Sequence, residues 1–177
     1  VQTCALPICS FKDAVKAGMT EYLDELKQKL EGLTEAEVQW QATLDTNTIA
    51  WLVWHMAKVE DSWINVWIAG GEEVWVTGKW AERTGIAGTS GGFGQVMDEV
   101  RSMPNVPISE LVAYYEAVRK AAFETIDGMT DADMANEIDR GHGPITWSWI
   151  LGHVMVEESQ HLGQVALIRG MIRGLDG

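Results

Sequence analysis

Three residues with metal-binding side chains recur at helical spacing near the carboxyl end of this chain. His153, Glu157 and His161 are each four residues apart within the apolar run 150–168. Because an α-helix turns once per about 3.6 residues, side chains four apart stack on one face. Burying an imidazole or a carboxylate without a partner costs roughly 2–7 kcal/mol, and a bound cation would supply that partner. The same face also carries Ile150, Val154, Gln164, Val165 and Ile168.

Glu157 and His161 form an i, i+4 pair that can reach one ion, so a third ligand must come from another helix. His55 is the candidate, because it lies near the middle of the second predicted helix and the pair lies near the middle of the fourth. Two imidazoles and one carboxylate leave coordination positions open, as a catalytic metal requires. The alternative is a hydrogen-bonded core histidine at position 55 that binds no ion.

Further polar residues lie close to this pattern. We interpret His153 as a residue that lines the pocket or supports the ligands, with direct ligation as the alternative. Gln164 is placed to orient His161 or a bound ligand, and Glu158 is expected to face outward or to support the ligands from behind. The candidates for moving protons or orienting substrate are therefore His153, Glu158 and Gln164. His142, in a glycine-rich loop, is expected to be solvated.

Four long helical patterns must position these residues. A capping box of Ser10 with Asp13 begins the first, and the same pattern recurs at Thr34 with Glu37. Ser109 is the expected N-cap of the third helix, which follows Pro107. The predicted spans are about 10–30, 48–68, 109–128 and 146–172.

The connection between the second and third helices, residues 70–104, is unusually long for a compact domain. It holds eight of the 18 glycines, together with Trp75, Trp80 and Phe93. Two short helical turns are predicted in it, around 78–83 and 94–100. Two interpretations stay open: a crossover connection of a helical bundle, or a loop that covers a pocket with aromatic side chains.

Composition excludes several classes of protein. The 177 residues are 46% apolar with nine Trp, so a folded domain is expected, and the net charge of −13 without a basic cluster argues against nucleic acid and anionic membrane as partners. No apolar run approaches the roughly 18 residues that span a bilayer. The first nine residues lack a basic segment followed by an apolar run, so we expect a soluble cytoplasmic protein.

The first residues are treated separately from the fold. Val1 to Ile8 resemble the translation of a sequencing-library adapter read through in frame, so we expect residues 1–9 to be a non-native leader and 10–177 to be a single domain. The alternative is a genuine short tail. Both cysteines, Cys4 and Cys9, fall in this segment, which excludes a disulfide framework or a cysteine-based zinc site in the remainder of the sequence.

Two segments of the chain resemble the DinB-like superfamily: WLVWHMAKVEDSW around His55, and ITWSWILGHVMVEESQHLGQVALIRG near the carboxyl end. The stretch from Glu157 to Gln164, followed by Arg169-Gly170, is the most specific part. Many members have histidine at the position of Glu157. A carboxylate there is typical of the mycothiol-dependent branch, which includes maleylpyruvate isomerase and related thiol S-transferases, so the chain is most similar to that branch.

This resemblance implies an all-α, four-helix bundle with an up-down-down-up path. It also implies a divalent metal, zinc or nickel, bound by His55, Glu157 and His161, and frequently a homodimer. The leading hypothesis is a metal-dependent S-transferase that joins a low-molecular-weight thiol, of the mycothiol or bacillithiol type, to small electrophiles. The alternatives are a hydrolase that uses metal-bound water and a non-catalytic metal-binding protein of the stress response.

Overall fold

A computed structural model describes residues 10–87 and 91–174. The predicted leader and both cysteines lie outside the described residues. The predicted all-α class is confirmed, and the only two strands in the described part of the chain are β1, Glu137–Asp139, and β2, Pro144–Thr146. The helices are α1 Phe11–Leu30, α2 Glu35–Val38, α3 Ile49–Glu60 with a π-helical continuation Asp61–Ile68, α4 Val74–Thr77, α5 Trp80–Thr84, α6 Met97–Arg101, α7 Ile108–Gly128 and α8 Trp147–Arg173, with a 3-10 turn at Asp131–Ala135.

Pairs of contacts fix the directions of the four long helices. α1 and α8 are parallel, because Gly18 lies against Met155 while Lys29, further along α1, accepts a hydrogen bond from Arg169. α1 and α7 are antiparallel, since Lys16 pairs with Asp127 at 2.5 Å and Lys27 pairs with Glu116. α3 and α8 are also antiparallel: His55 meets His161, and Trp63 meets Trp149. The path α1, α3, α7, α8 is therefore up-down-down-up, as the resemblance implied.

Local sequence explains where these helices begin. The predicted capping box is confirmed, with Ser10 and Asp13 each accepting from the other's backbone N–H, and Thr48 and Thr146 cap α3 and α8. The predicted N-cap at Ser109 is wrong, because α7 already begins at Ile108. Pro107 precedes it with φ −53, near the angle that suits helix entry, and lacks an N–H that would need a partner.

The long connection is partly core and partly surface. Its predicted helical turns are confirmed as α5 and α6, whereas α4 was not predicted. Trp75 and Trp80 are buried in the core between this segment and α7, where both contact Tyr114. Phe93, in contrast, is 93% exposed and lines a cavity. The interpretation as a roof of aromatic side chains therefore holds for Phe93 and is wrong for the two tryptophans.

A short hairpin that was not predicted from the sequence precedes α8. β1 and β2 pair antiparallel, with Ile138 opposite Ile145. Asp139 closes the turn by accepting hydrogen bonds from the backbone N–H groups of Gly141 and Gly143, whose φ values are +91 and +96. Among the described residues, no helix combines the length and the hydrophobicity needed to cross a membrane.

Candidate metal centre

His55, Glu157 and His161 come together between α3 and α8. One potential ligand atom from each lies within 4.8 Å of the others. Glu157 Oε1 is 3.1 Å from His55 Nε2 and 3.1 Å from His161 Nε2. We call these three residues the triad; the predicted convergence of residues 102 positions apart is thus present in the fold.

Two contacts hold the His55 ring in place, in addition to Glu157. Its ring stacks on Trp51, with centroids 4.6 Å apart and planes 13° apart. Its Nδ1 contacts the carbonyl oxygen of Gly91. The loop approaches this closely only because the next residue is also glycine: a Cβ on Gly92 would lie 2.6 Å from the Trp51 ring, and the backbone there has φ +90. The sequence signal for this contact was the Gly91-Gly92 pair, and our sequence analysis missed it.

His161 is held in the same manner. Its Nδ1 lies 2.9 Å from the side-chain oxygen of Gln164, three residues further along α8. Both imidazoles therefore turn Nδ1 toward an oxygen and Nε2 toward Glu157. Histidines that bind metal ions commonly donate their second N–H to a carbonyl or carboxylate in this way, which fixes the tautomer and the direction of the ligating nitrogen.

The hydrogen-bonding groups of the triad require a cation between His55 and Glu157. A carbonyl oxygen only accepts, so His55 Nδ1 must carry the proton, and in a neutral ring Nε2 is then a bare lone pair. That lone pair faces the Glu157 carboxylate, which also only accepts. Facing acceptors repel each other unless a proton or a metal ion lies between them. Two imidazoles and one carboxylate are suitable ligands for Zn²⁺ and similar ions, so the residues fit the group that the resemblance implied.

Without a metal, protons would play this part. Hydrogen bonds from His161 and His55 hold the pKa of the Glu157 carboxyl far below its usual range. Burial opposes the charged form of His161, but its hydrogen bonds to Glu157 and Gln164 prevail and raise the pKa of the His161 imidazole. The triad is thus poised to keep positive charge beside Glu157, whether that charge is a proton or a metal ion.

A cavity of about 660 Å³ opens at the triad. His55, Glu157 and the buried Lys58 line it on one side. Lys58 carries charge that is already balanced, since its ammonium lies 2.5 Å from a Glu73 carboxylate oxygen. The volume is in the range of small-molecule pockets, so a substrate and the triad can share this space. Glu73 lines the cavity as well, and the further lining residues are Val59, Ser62, Trp63, Gly91, Phe93, Arg140, His142, Gly143, Ile145, Trp149 and His153.

The three predicted catalytic candidates, His153, Gln164 and Glu158, fall in three different places. His153 lines the cavity one helical turn before Glu157 and stacks on Trp149, with centroids 4.6 Å apart. Gln164 contacts His161, as expected. His142 is exposed in the hairpin turn and also lines the cavity. The structure thus groups His153 with the cavity and Gln164 with the triad.

Glu158 does not face outward, and that expectation is wrong. It is 1% exposed and lies outside the cavity lining. Its Oε1 accepts hydrogen bonds from Tyr115 at 2.5 Å and from Arg119 at 2.7 Å, and Arg119 also donates three hydrogen bonds to Glu60. We call Glu60, Tyr115, Arg119 and Glu158 the arginine cluster. It was missed because its members come from three helices, and only Tyr115 and Arg119, four residues apart on α7, share a helical spacing.

The arginine cluster lies beside a π-helical segment of the chain. α3 changes at Asp61 from α-helix to π-helix and places Ser62 and Trp63 at the cavity. Buried Asp61 accepts hydrogen bonds from the backbone N–H groups of Val74 and Trp75 and from the hydroxyl of Tyr114. These bonds tie the start of the long connection to the bundle. Local π-helical turns are frequent at functional sites.

Comparison with known proteins supports this picture. Residues 14–174 match the family model described as mycothiol-S-transferase. Among solved structures, the crystal structure of the conserved protein of locus from Enterococcus faecalis has a TM-score of 0.84 at 17% sequence identity, covering 96% of this chain and 99% of that one. At this identity the likeness shows a shared fold. A search of curated proteins gave no match.

Proposed function

Because this chain belongs to the mycothiol-S-transferase family, we propose that it transfers a low-molecular-weight thiol to small electrophiles with the help of a divalent metal ion. The observation that carries the proposal is the triad, in which two imidazole nitrogens each lie 3.1 Å from one carboxylate oxygen. His55, Glu157 and His161 would hold the ion, with zinc as the first candidate and nickel as the second.

The ion, when bound, would favour the thiolate form of a thiol at neutral pH, and the thiolate is the nucleophile. The two neutral imidazoles and single carboxylate would leave the ion a net positive charge. Gln164 would orient the ligating nitrogen of His161, and the Gly91 carbonyl would do the same for His55. Both supports are positioning groups, since they act through the imidazoles.

Two further groups would take different parts. His153 lies in the cavity wall one turn before Glu157 and would accept the proton that the thiol loses. Glu158 would act as a positioning residue: its hydrogen bonds to Arg119 and Tyr115 anchor the helical turn that also carries Glu157. The aromatic side chains around the cavity would exclude water from the reacting sulfur.

The test is elemental analysis of the untagged protein, followed by conjugation assays with mycothiol, bacillithiol and glutathione on 1-chloro-2,4-dinitrobenzene. We expect about one equivalent of a divalent metal, as for a single three-ligand site, and turnover that requires both metal and thiol. His161→Ala should lose the metal and the turnover together. Turnover that is independent of thiol would contradict the transferase and favour a hydrolase, and metal without any turnover would favour a binding protein.

A further inference from the structure

Arg140 extends from the hairpin turn into the wall of the cavity. Its guanidinium carbon lies 4.4 Å from the ring centre of Trp63 and 4.7 Å from that of Trp67. Arg140 is exposed, and its contacts with two aromatic rings restrict the position of the guanidinium group. A guanidinium group that rests on an aromatic face keeps its N–H groups in the plane, directed away from that face.

The charge of Arg140 is not balanced by any acid that the structure describes. Within residues 10–87 and 91–174, Arg140 forms neither an ion pair nor a side-chain hydrogen bond. The other two cations of this region differ: Lys58 pairs with Glu73, and Arg119 pairs with Glu60 and Glu158. In a chain with a net charge of −13, a fixed cation without an acidic partner, beside a cavity, is suited to an anionic ligand.

Flat surfaces line the space between Arg140 and the triad. Trp63 contacts Trp149, with centroids 5.9 Å apart, and His153, with centroids 5.4 Å apart. We call Trp63, Trp149 and His153 the aromatic wall. Trp149 is 48% exposed, so part of its ring is open to a ligand. Rings of this kind favour planar ligands, because offset and edge-on contacts between aromatic groups add to the burial of apolar area.

Arg140 lines the same cavity of about 660 Å³ as His55 and Glu157 of the triad. Trp63, on which Arg140 rests, lies eight residues after His55, on the stretch where α3 becomes π-helical. A molecule whose reacting carbon lies at the triad can therefore extend along this wall toward Arg140. Arg140 supplies at that end a planar pair of donors, the geometry that a carboxylate accepts in bidentate fashion.

We infer that the electrophile of the S-transfer is a planar, unsaturated or aromatic molecule with a carboxylate, and that Arg140 binds this carboxylate; the inference rests on the function proposed above. With a chloronitrobenzoate as electrophile, the thiolate sulfur forms a bond to the carbon that carries chlorine. The carbon–chlorine bond then breaks, and chloride leaves with the electron pair. The thiol proton passes to His153 and from there to solvent.

The experiment compares 4-chloro-3-nitrobenzoate with its methyl ester, mycothiol being the thiol. The two probes have the same ring and leaving group and differ in charge. Arg140→Gln should lower the ratio of kcat/KM for the acid to kcat/KM for the ester by about tenfold or more, since one charge-assisted contact is removed. The change should appear as a higher KM for the acid. The matched control is Arg83→Gln, because Arg83 also rests on a tryptophan, 3.8 Å from the Trp80 ring centre, but lies outside the cavity. It should leave the ratio at the wild-type value.

A second readout needs no turnover. Calorimetry of the full chain with 4-chloro-3-nitrobenzoate, without thiol, should show a Kd about tenfold higher for Arg140→Gln than for wild type and Arg83→Gln. If that difference appears but no thiol-dependent product forms, the carboxylate subsite stands and the transferase proposal fails. If turnover is thiol-dependent but acid and ester respond alike to Arg140→Gln, the inference is overturned. Binding that His161→Ala abolishes and Arg140→Gln retains would place the carboxylate at the triad and also overturn it.

Discussion

The triad and the arginine cluster each hold a carboxylate of α8, yet they balance its charge in opposite ways. Glu157 and Glu158 are neighbours on α8. In the arginine cluster, Arg119 lies between two carboxylates, 2.8 Å from Glu60 and 2.7 Å from Glu158. In the triad, the Glu157 carboxylate faces one nitrogen of each imidazole, and that nitrogen carries a lone pair and no proton when the ring is neutral. The chain therefore supplies its own cation in the first region and leaves room for one in the second.

This difference in charge balance goes with a difference in role, structural for the arginine cluster and ligand-facing for the triad. The arginine cluster is deeply buried: Glu60 and Glu158 are at most 1% exposed, and burial together with the charge of Glu60 raises the pKa of the Glu158 carboxyl. Such a site fixes how α3, α7 and α8 pack. The triad opens into the cavity, so a cation bound there would meet a substrate. Two carboxylates adjacent in sequence thus serve different purposes because one faces α7 and the other faces the cavity.

The largest expected effect comes from breaking the arginine cluster. Arg119→Ala leaves two buried carboxylates without their cation, which should lower the free energy of unfolding by about 3–5 kcal/mol. Urea denaturation measures this. The control is Arg101→Ala, whose exposed pair with Asp98 should contribute no more than about 1 kcal/mol. Equal losses for the two variants would show that the cluster is not the structural element described above.

Removal of the metal should act on the triad alone. With free metal at about 100 times its Kd, binding adds about 2.7 kcal/mol to the stability of the folded state. Treatment with EDTA should therefore lower the melting temperature of wild type and leave that of His161→Ala where it is. Thermal unfolding with and without chelator is the measurement. An equal response of both proteins would mean that any bound metal lies elsewhere.

A smaller effect is expected from the residue that orients His161. Gln164→Ala keeps all three ligands but removes the oxygen 2.9 Å from His161 Nδ1. Loss of such supporting contacts typically weakens metal affinity by about 10–100-fold. Competition with a chromogenic chelator would give the affinity. Gln160→Ala, on an exposed side of the same helix, is the control, and the same affinity in both variants would remove Gln164 from the site.

The smallest effect is on pH dependence. Protons compete with the metal for His161 Nε2, and the hydrogen bond to Glu157 raises the pKa of His161 against the opposing effect of burial. The affinity for metal should therefore fall as the pH drops through this raised pKa, which lies above the ordinary histidine value of about 6.5. The fall should be at most about tenfold per pH unit for each proton bound. Titration calorimetry from pH 8 to pH 6 tests this. Affinity that does not change over that range would show that His161 gains no proton when the ion leaves.

The sequence was sufficient to predict the bundle and the convergence at its centre. Ligands four residues apart define one helix face, and a histidine at the same height on a second helix can meet them in either orientation. That is why His55, Glu157 and His161 could be grouped from their spacing. Helix starts with a side-chain cap, such as Ser10 with Asp13, were also predictable because the signal is local.

What the sequence did not show depends on packing between distant segments. Glu158 was expected to face outward because it lies about 100° around the helix from Glu157, but in the fold its side chain is buried against Tyr115 and Arg119 of α7. The hairpin that carries Arg140 was missed because strands of three residues are too short to show alternation. The contact between the Gly91 carbonyl and His55 was missed because the Gly91-Gly92 pair signals a close backbone approach without indicating which side chain lies opposite it.

The most direct test of the account is a crystal structure of the metal-loaded protein with anomalous diffraction recorded on both sides of the absorption edge of the metal. The account predicts one ion bonded to His55 Nε2, His161 Nε2 and a Glu157 oxygen at about 2.0–2.2 Å, with a remaining position open to the cavity. An ion bound elsewhere, or metal-loaded crystals in which the His55 ring has turned away from Glu157, would contradict it.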